Sequence, residues 1–323
     1  MDKITASAPA KLMLLGEHAV VYNHPCLVTS VDQRMKLTVS SIEESFFELE
    51  AADVNILRYK KPMTDLGQGD IPKGAKFVEV AVKNFLNRYP LKNGLKMETK
   101  SEFSSQFGFG SSSAVTVCTI KALSVLSNAH LSPKEIFDLS YKTVLDIQGK
   151  GSGFDVAGAT FGGTLYFITG GKKIEPLDAQ SLELIVGYSG VKSDTVTMVN
   201  MVKEKMTTQK ETIEKIFDAI ADLVDKARKA IEEKDWPRLG TLLNYNQDYL
   251  EDLGVSTQKL NDMISAARYA GAFGAKLSGA GGGDCMIALV SAEEKPSVAR
   301  AIEKARGQII DVAINAPGVR TET

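Results

Sequence analysis

The chain has 323 residues, 44% apolar and 24% charged, enough to bury a sizeable core as one large domain or two closely associated ones. Its 38 basic and 40 acidic side chains leave a net charge of −2, which excludes the strong basic field of a bulk nucleic-acid binder. No apolar run reaches membrane-spanning length, and the first residues lack the pattern of a signal peptide. Cys26, Cys118 and Cys285 are too scattered for a zinc motif. The expectation is a cytoplasmic protein with reduced thiols and with neither a nucleic-acid nor a membrane partner.

Taken in chain order, residues 4–8, 12–15, 26–31 and 35–40 read as strands, some alternating and some continuously apolar. Residues 76–89 carry apolar side chains at helical spacing, and a helix over 112–127 follows a Gly/Ser turn. Ser132-Pro133-Lys134-Glu135 has capping-box spacing with proline at the first helical position, and opens a helix to about 147. Strands are expected at 162–167 and 182–187. The second half is mostly helical, over 195–234, 237–252 and 257–270, with breaks at Trp236-Pro237 and Leu253-Gly254. A glycine loop, a strand at 284–290, a helix at 293–306 and a strand near 308–314 complete the chain. No solenoid repeat or low-complexity linker is visible. These elements predict an α+β enzyme of two lobes, residues 1–180 and 181–323, joined by a compact hinge.

The 27 glycines concentrate in three windows, 108–110, 149–171 and 271–283. Glycine gathers where the backbone needs positive φ or a very close approach, so three such loops suggest one ligand among them. In Gly108-Phe109-Gly110-Ser111-Ser112-Ser113 the glycines let the chain curl into a helix N-terminus, where backbone N–H groups and hydroxyls can meet a phosphate. The spacing matches neither Walker A nor GxGxxG, and by itself it fits a capped turn as well as a phosphate cradle.

Ala8-Pro9-Ala10-Lys11-Leu12 with Gly16-Glu17-His18-Ala19-Val20-Val21-Tyr22, then the Gly/Ser turn, then Lys276-Leu277-Ser278-Gly279-Ala280-Gly281-Gly282-Gly283-Asp284-Cys285 stand in this order. Together they resemble the three signature motifs of the GHMP kinase superfamily, over most of the chain. The resemblance implies ATP-dependent small-molecule kinases with a left-handed βαβ element in the N-terminal lobe, a ferredoxin-like C-terminal lobe and the active site between them. By it, Gly108, Gly110, Ser111, Ser112 and Ser113 cradle the ATP phosphates, Ser112 ligates Mg²⁺, and Gly279, Gly281 and Gly282 line the opposite wall. Asp155, in Gly151-Ser152-Gly153-Phe154-Asp155, becomes the base or hydroxyl-orienting residue, paired with Lys11.

Within the superfamily, the Gly16–Tyr22 run, Leu253-Gly254-Val255-Ser256-Thr257 and Gly190-Val191-Lys192-Ser193-Asp194-Thr195 are similar to mevalonate kinases. This similarity implies that Glu17, His18 and Thr195 contact the acceptor, mevalonate, whose C5 hydroxyl would be phosphorylated in isoprenoid biosynthesis. Gln148 to Ala157 and Gly283-Asp284-Cys285 are closer to phosphomevalonate kinases, so phosphomevalonate is the alternative acceptor, and an inactive nucleotide-binding regulator the remote one. Val144 stands where many mevalonate kinases carry a magnesium-binding glutamate, which leaves Asp138, Asp146, or Ser112 with water to complete the metal shell. A homodimer is a further expectation, from the helical second half.

Overall fold

The computed structural model describes residues 3–322. The first sheet begins with two long antiparallel strands, β1 (Lys3–Leu15) and β2 (Pro25–Ile42). Each joins two of the segments expected separately. The register shift between Pro9 and Ala10 explains the apparent break, because proline has no N–H to donate and is tolerated at a bulge. Next come β3 (Phe46–Ala51), β4 (Ile56–Pro62), α1 (Lys76–Leu86) and β5 (Gly94–Ser101), then α2 (Ser111–Leu126), α3 (Pro133–Gln148), α4 (Phe154–Phe161), β6 (Thr164–Ile168) and β7 (Lys173–Leu177). The order β12 (Arg320–Glu322), β1, β2, β5, β3, β4 forms the main path, with β6 and β7 branching from β2. Strand β3 runs parallel to β5, and the chain between them passes through β4 and α1.

The second sheet takes β8 (Leu184–Tyr188), then α5 (Thr195–Glu232), α6 (Trp236–Asp252) and α7 (Gln258–Tyr269), the hairpin β9 (Gly274–Ser278) and β10 (Cys285–Leu289), α8 (Lys295–Lys304) and β11 (Gln308–Ile310). Its order, β11-β8-β10-β9, is antiparallel throughout. With β8 and β9 linked by helices and β10 and β11 by α8, this is the ferredoxin-like βαββαβ arrangement. The change of sheet falls between Leu177 and Leu184. The chain then returns: β12 (Arg320–Glu322) pairs with β1, so the last residues belong to the first sheet. Arg34 holds this return, donating to Ser7 Oγ (2.7 Å) and to the carbonyls of Pro317 (2.8 Å) and Gly318 (2.9 Å).

Strands β3, β4, β5, β7, β9 and β12 have no counterpart among the sequence expectations. In β5, Lys96, Glu98 and Lys100 alternate with buried Leu95 and Met97, so its apolar signal is thin and pairing with β2 and β3 makes the strand. Helix α2 packs its buried face, with Val117, Cys118, Ile120 and Leu123, against β1 and β2. The phosphate-loop end of α2 is thereby fixed to the strand that carries Lys11.

Candidate active site

Strand β1 brings Lys11 to the Gly/Ser loop by a backbone bond, Lys11 N–H to the Phe109 carbonyl at 3.1 Å. The Lys11 ammonium then meets Asp155 Oδ1 at 2.9 Å and the Gly108 carbonyl at 3.0 Å, and lies 5.1 Å from the centre of the Phe154 ring. Residues 144 positions apart in the sequence thus form one ion pair, nearly buried on the lysine side. Gly110 makes room for it: a Cβ there would sit 3.0 Å from Lys11 Cε and 3.3 Å from Asp155 Oδ1.

Two helix N-termini face this pair. Helix α2 opens from Gly110 (φ 82°) and α4 from Gly153 (φ 92°), and neither has a side-chain cap. The first N–H groups of Ser111, Ser112 and Ser113 are therefore available, with the positive end of the dipole, to an anion. Asp155 sits in the first turn of α4. The loop before α4 is held by Tyr141, whose hydroxyl donates to the Gly151 carbonyl at 2.8 Å.

The third glycine loop is the β9–β10 hairpin connection. Gly279 (φ 106°) and Ala280 line the cleft, and a Cβ on Gly279 would meet nothing within 4 Å. Gly281 and Gly282 lie behind them: Cβ atoms there would strike the Val255 carbonyl at 2.2 Å and Met198 Sδ at 2.6 Å. They pack the loop against the helical layer and are absent from the cleft lining.

The Gly16–Tyr22 segment supplies the next wall. His18 takes φ 60°, unusual for a residue with a side chain, and donates from Nε2 to the Ala280 carbonyl at 2.9 Å. Burial pulls its pKa below the ordinary 6.5, partly offset by the Ala280 hydrogen bond. Glu17 also borders the cleft, but its carboxylate is taken up by the buried ammonium of Lys276 and by Asn246 Nδ2 at 3.5 Å. Thr195, at the first turn of α5, lies on the cleft lining as well. Val144 lines the cleft too, whereas Asp146 bonds Asn84 (2.8 Å) and Lys142, and Asp138 bonds Lys134, all away from it.

The cleft, about 260 Å³, is continuous at the phosphate loop with a second pocket lined by Val54, Lys73, Phe77 and Val115. Ser105, Ser111, Ser112 and Lys192 border both. Lys276, Asp284 and Lys192 stand at the cleft or directly behind it without being candidates from motif alone. Lys276 and Asp284 stand inside the third motif, where their charge among glycines was the available signal.

Residues 76–163 match the family described as GHMP kinases N terminal domain, and residues 227–308 that described as GHMP kinases C terminal. The mevalonate kinase of Pyrococcus horikoshii is 37% identical over 330 residues, covering 99% of this chain and 98% of that one. The crystal structure of Methanococcus jannaschii mevalonate kinase is similar at a TM-score of 0.84 and 28% identity, over 97% and 98% of the two chains. A Streptococcus pneumoniae phosphomevalonate kinase structure, in complex with phosphomevalonate and AMPPNP, shares the fold at a TM-score of 0.81 and 17% identity, over 97% and 100%. The chain belongs to the GHMP kinase superfamily: an α+β, two-lobed, ATP-dependent kinase. Within that superfamily it is most like the mevalonate kinases.

Proposed function

We propose that the protein transfers the γ-phosphoryl group of ATP to the C5 hydroxyl of mevalonate, giving 5-phosphomevalonate for isoprenoid biosynthesis. The observation that carries the chemistry is the Lys11–Asp155 pair at 2.9 Å beside the uncapped N-terminus of α2. On this reading residues 1–180 carry the ATP and catalytic motifs, and the part from 181 on closes the far wall, except that its end returns to the first sheet through β12. The nucleoside occupies the pocket around Val54 and Phe77, its phosphates follow Ser111, Ser112 and Ser113, and the acceptor lies beside His18, Thr195 and Asp155.

Asp155 accepts the hydrogen bond of the acceptor hydroxyl, aims its oxygen along the line of transfer, and takes its proton as the new P–O bond forms. Lys11 fixes the carboxylate and offsets charge on the moving phosphoryl group. Phosphoryl transfer is mostly positioning and electrostatics, which suits a site made of helix N-termini and one ion pair. Among the described residues no group of three His, Cys, Asp or Glu side chains converges on a metal position. That donor set fits a Mg²⁺ held chiefly by the nucleotide's phosphates and water, with the Ser112 hydroxyl as protein ligand. Such an ion, held by the Ser112 hydroxyl, would supply positive charge that offsets the negative charge of the phosphates during transfer.

Mevalonate is favoured over phosphomevalonate by the wall chemistry. Val20, Val21, Val144, Val156 and Val199 line the acceptor half, and among the described residues its lysines are Lys11 and Lys192, with no arginine. A phosphorylated acceptor adds a dianion that this wall is poorly equipped to hold. The relative at 37% identity over nearly the whole chain points the same way. A homodimer is also proposed, from the helical second half, and sedimentation measures it. An ADP-release assay with each acceptor alone tests the function: turnover with mevalonate is expected, and turnover with phosphomevalonate alone would overturn it.

A further inference from the structure

The two halves of the cleft share Ser105, Ser111, Ser112 and Lys192, so their junction is where a phosphoryl group leaving the nucleotide must pass toward the acceptor. Three of these four residues are neutral. The fourth is a lysine of unusual placement. Lys192 lies on the short connection between β8 and α5, outside both helix and strand. That connection is clamped by Asp284: the Asp284 N–H donates to the Val191 carbonyl (2.8 Å), the Asp284 carbonyl accepts from Ser189 N–H (2.9 Å), and its Oδ1 accepts from Ser193 N–H (2.9 Å). Asp284 is itself pressed onto the phosphate loop, since a Cβ on Gly108 would fall 2.4 Å from its Oδ2. The backbone under Lys192 is therefore referenced directly to the loop, while its side chain is 47% exposed and only loosely tethered, Nζ to Asp284 Oδ1 at 3.5 Å.

The cleft's other lysine is committed. Lys11 spends its ammonium on Asp155 and on the Gly108 carbonyl, on the acceptor side of the loop. We propose that Lys192 is a second catalytic cation, whose ammonium leaves Asp284 to bind the γ-phosphoryl oxygens during transfer. This rests on the kinase reading above, and adds to it the group that neutralises charge at the junction. In the step, the bond from the β,γ-bridging oxygen to γ-phosphorus breaks and the bond from the acceptor oxygen forms. The hydroxyl proton goes to Asp155, and Lys192 neither gains nor loses one. A flexible ammonium suits this role, because the developing charge spreads over three equatorial oxygens that shift as transfer proceeds.

The test compares wild type, Lys192→Met and Lys192→Arg in the full chain, for turnover of mevalonate and for hydrolysis of ATP without acceptor. The expected result is a kcat lowered about 10²-fold in Lys192→Met, the scale for losing one preorganised charge stabiliser. KM for mevalonate and the affinity for ADP should stay near wild type, ADP–aluminium fluoride binding should weaken, and Lys192→Arg should recover most of the rate. The half-exposed position predicts an unchanged melting temperature. A Lys192→Met kcat within about threefold of wild type, or a raised KM with kcat retained, would overturn the proposal. If the wild type leaves mevalonate untouched, the function proposed above falls instead. Lys192 is then judged on ATP hydrolysis, where an undiminished rate in Lys192→Met overturns the role.

Discussion

At the scale of single residues, the proposed mechanism depends on a carboxylate whose position is set by a lysine, a glycine and a helix turn. Asp155→Asn keeps the shape of that carboxylate and removes its charge and basicity. Turnover should fall about 10³-fold while ATP still binds, measured by steady-state rates beside nucleotide titration; a near-normal rate would remove Asp155 from the mechanism. His18 makes a different prediction. Its folded pKa lies below the ordinary 6.5 because burial disfavours the imidazolium. The neutral ring's contribution to stability is therefore present above about pH 6.5 and lost as pH falls through the folded value. Unfolding free energy should decline between about pH 7 and about pH 5, and urea titrations of His18→Gln should show a shallower decline over the same window.

At the scale of elements, the helices divide by how their N-termini are satisfied. Helix α3 is closed by its own sequence: Ser132 caps Glu135 N–H and the Glu135 side chain returns the bond. Helices α2 and α4 start from left-handed glycines with no such cap, and both open on the cleft. Helices α1 and α8 also lack side-chain caps, so it is the left-handed glycine start at the cleft that leaves the N–H groups of α2 and α4 available to an anion. Ser132→Ala should lower stability by about 1 kcal/mol in denaturant melts and leave kcat unchanged. Ser112→Ala should do the reverse, leaving the melt in place and raising the Mg²⁺ concentration needed for half-maximal rate. Equal effects of the two variants on both readouts would erase this distinction.

At the scale of the molecule, the lobes are tied at the active site. The Glu17–Lys276 pair joins the turn after β1 to β9, with the lysine 0% and the glutamate 1% exposed. Ser278 Oγ bonds both N–H and carbonyl of Met13 at 3.0 Å, two residues along the strand from Lys11. The third glycine loop is thus set against the strand that carries Lys11 by a buried ion pair and a serine hydroxyl. Lys276→Met would leave Glu17 buried without a counter-charge, and should destabilise the fold by about 3–5 kcal/mol. The double variant Lys276→Met with Glu17→Leu should recover part of this loss, as read from urea midpoints. Additive losses would mean that the pair is not a unit.

How much of this was legible in the residues follows from range. Helices α3, α6 and α7 could be read locally, because caps, prolines and apolar spacing act within a few residues. The Gly/Ser turn, Lys11 and Asp155 could be singled out only together, by the resemblance of three motifs standing in order, since the turn alone fits a capped helix start equally well. Strands β5 and β12 could not, because their hydrogen bonds and buried contacts come from chain segments far away in sequence. Neither could the fate of Glu17, which reads as an available carboxylate until Lys276 arrives from the other lobe. Gly281 and Gly282 likewise look like cleft glycines until Val255 and Met198 pack behind them. The sequence by itself determined the class of chemistry and named the candidates for performing it. Only the tertiary structure decided which charges stay available, because burial and pairing are set by whatever the fold brings alongside.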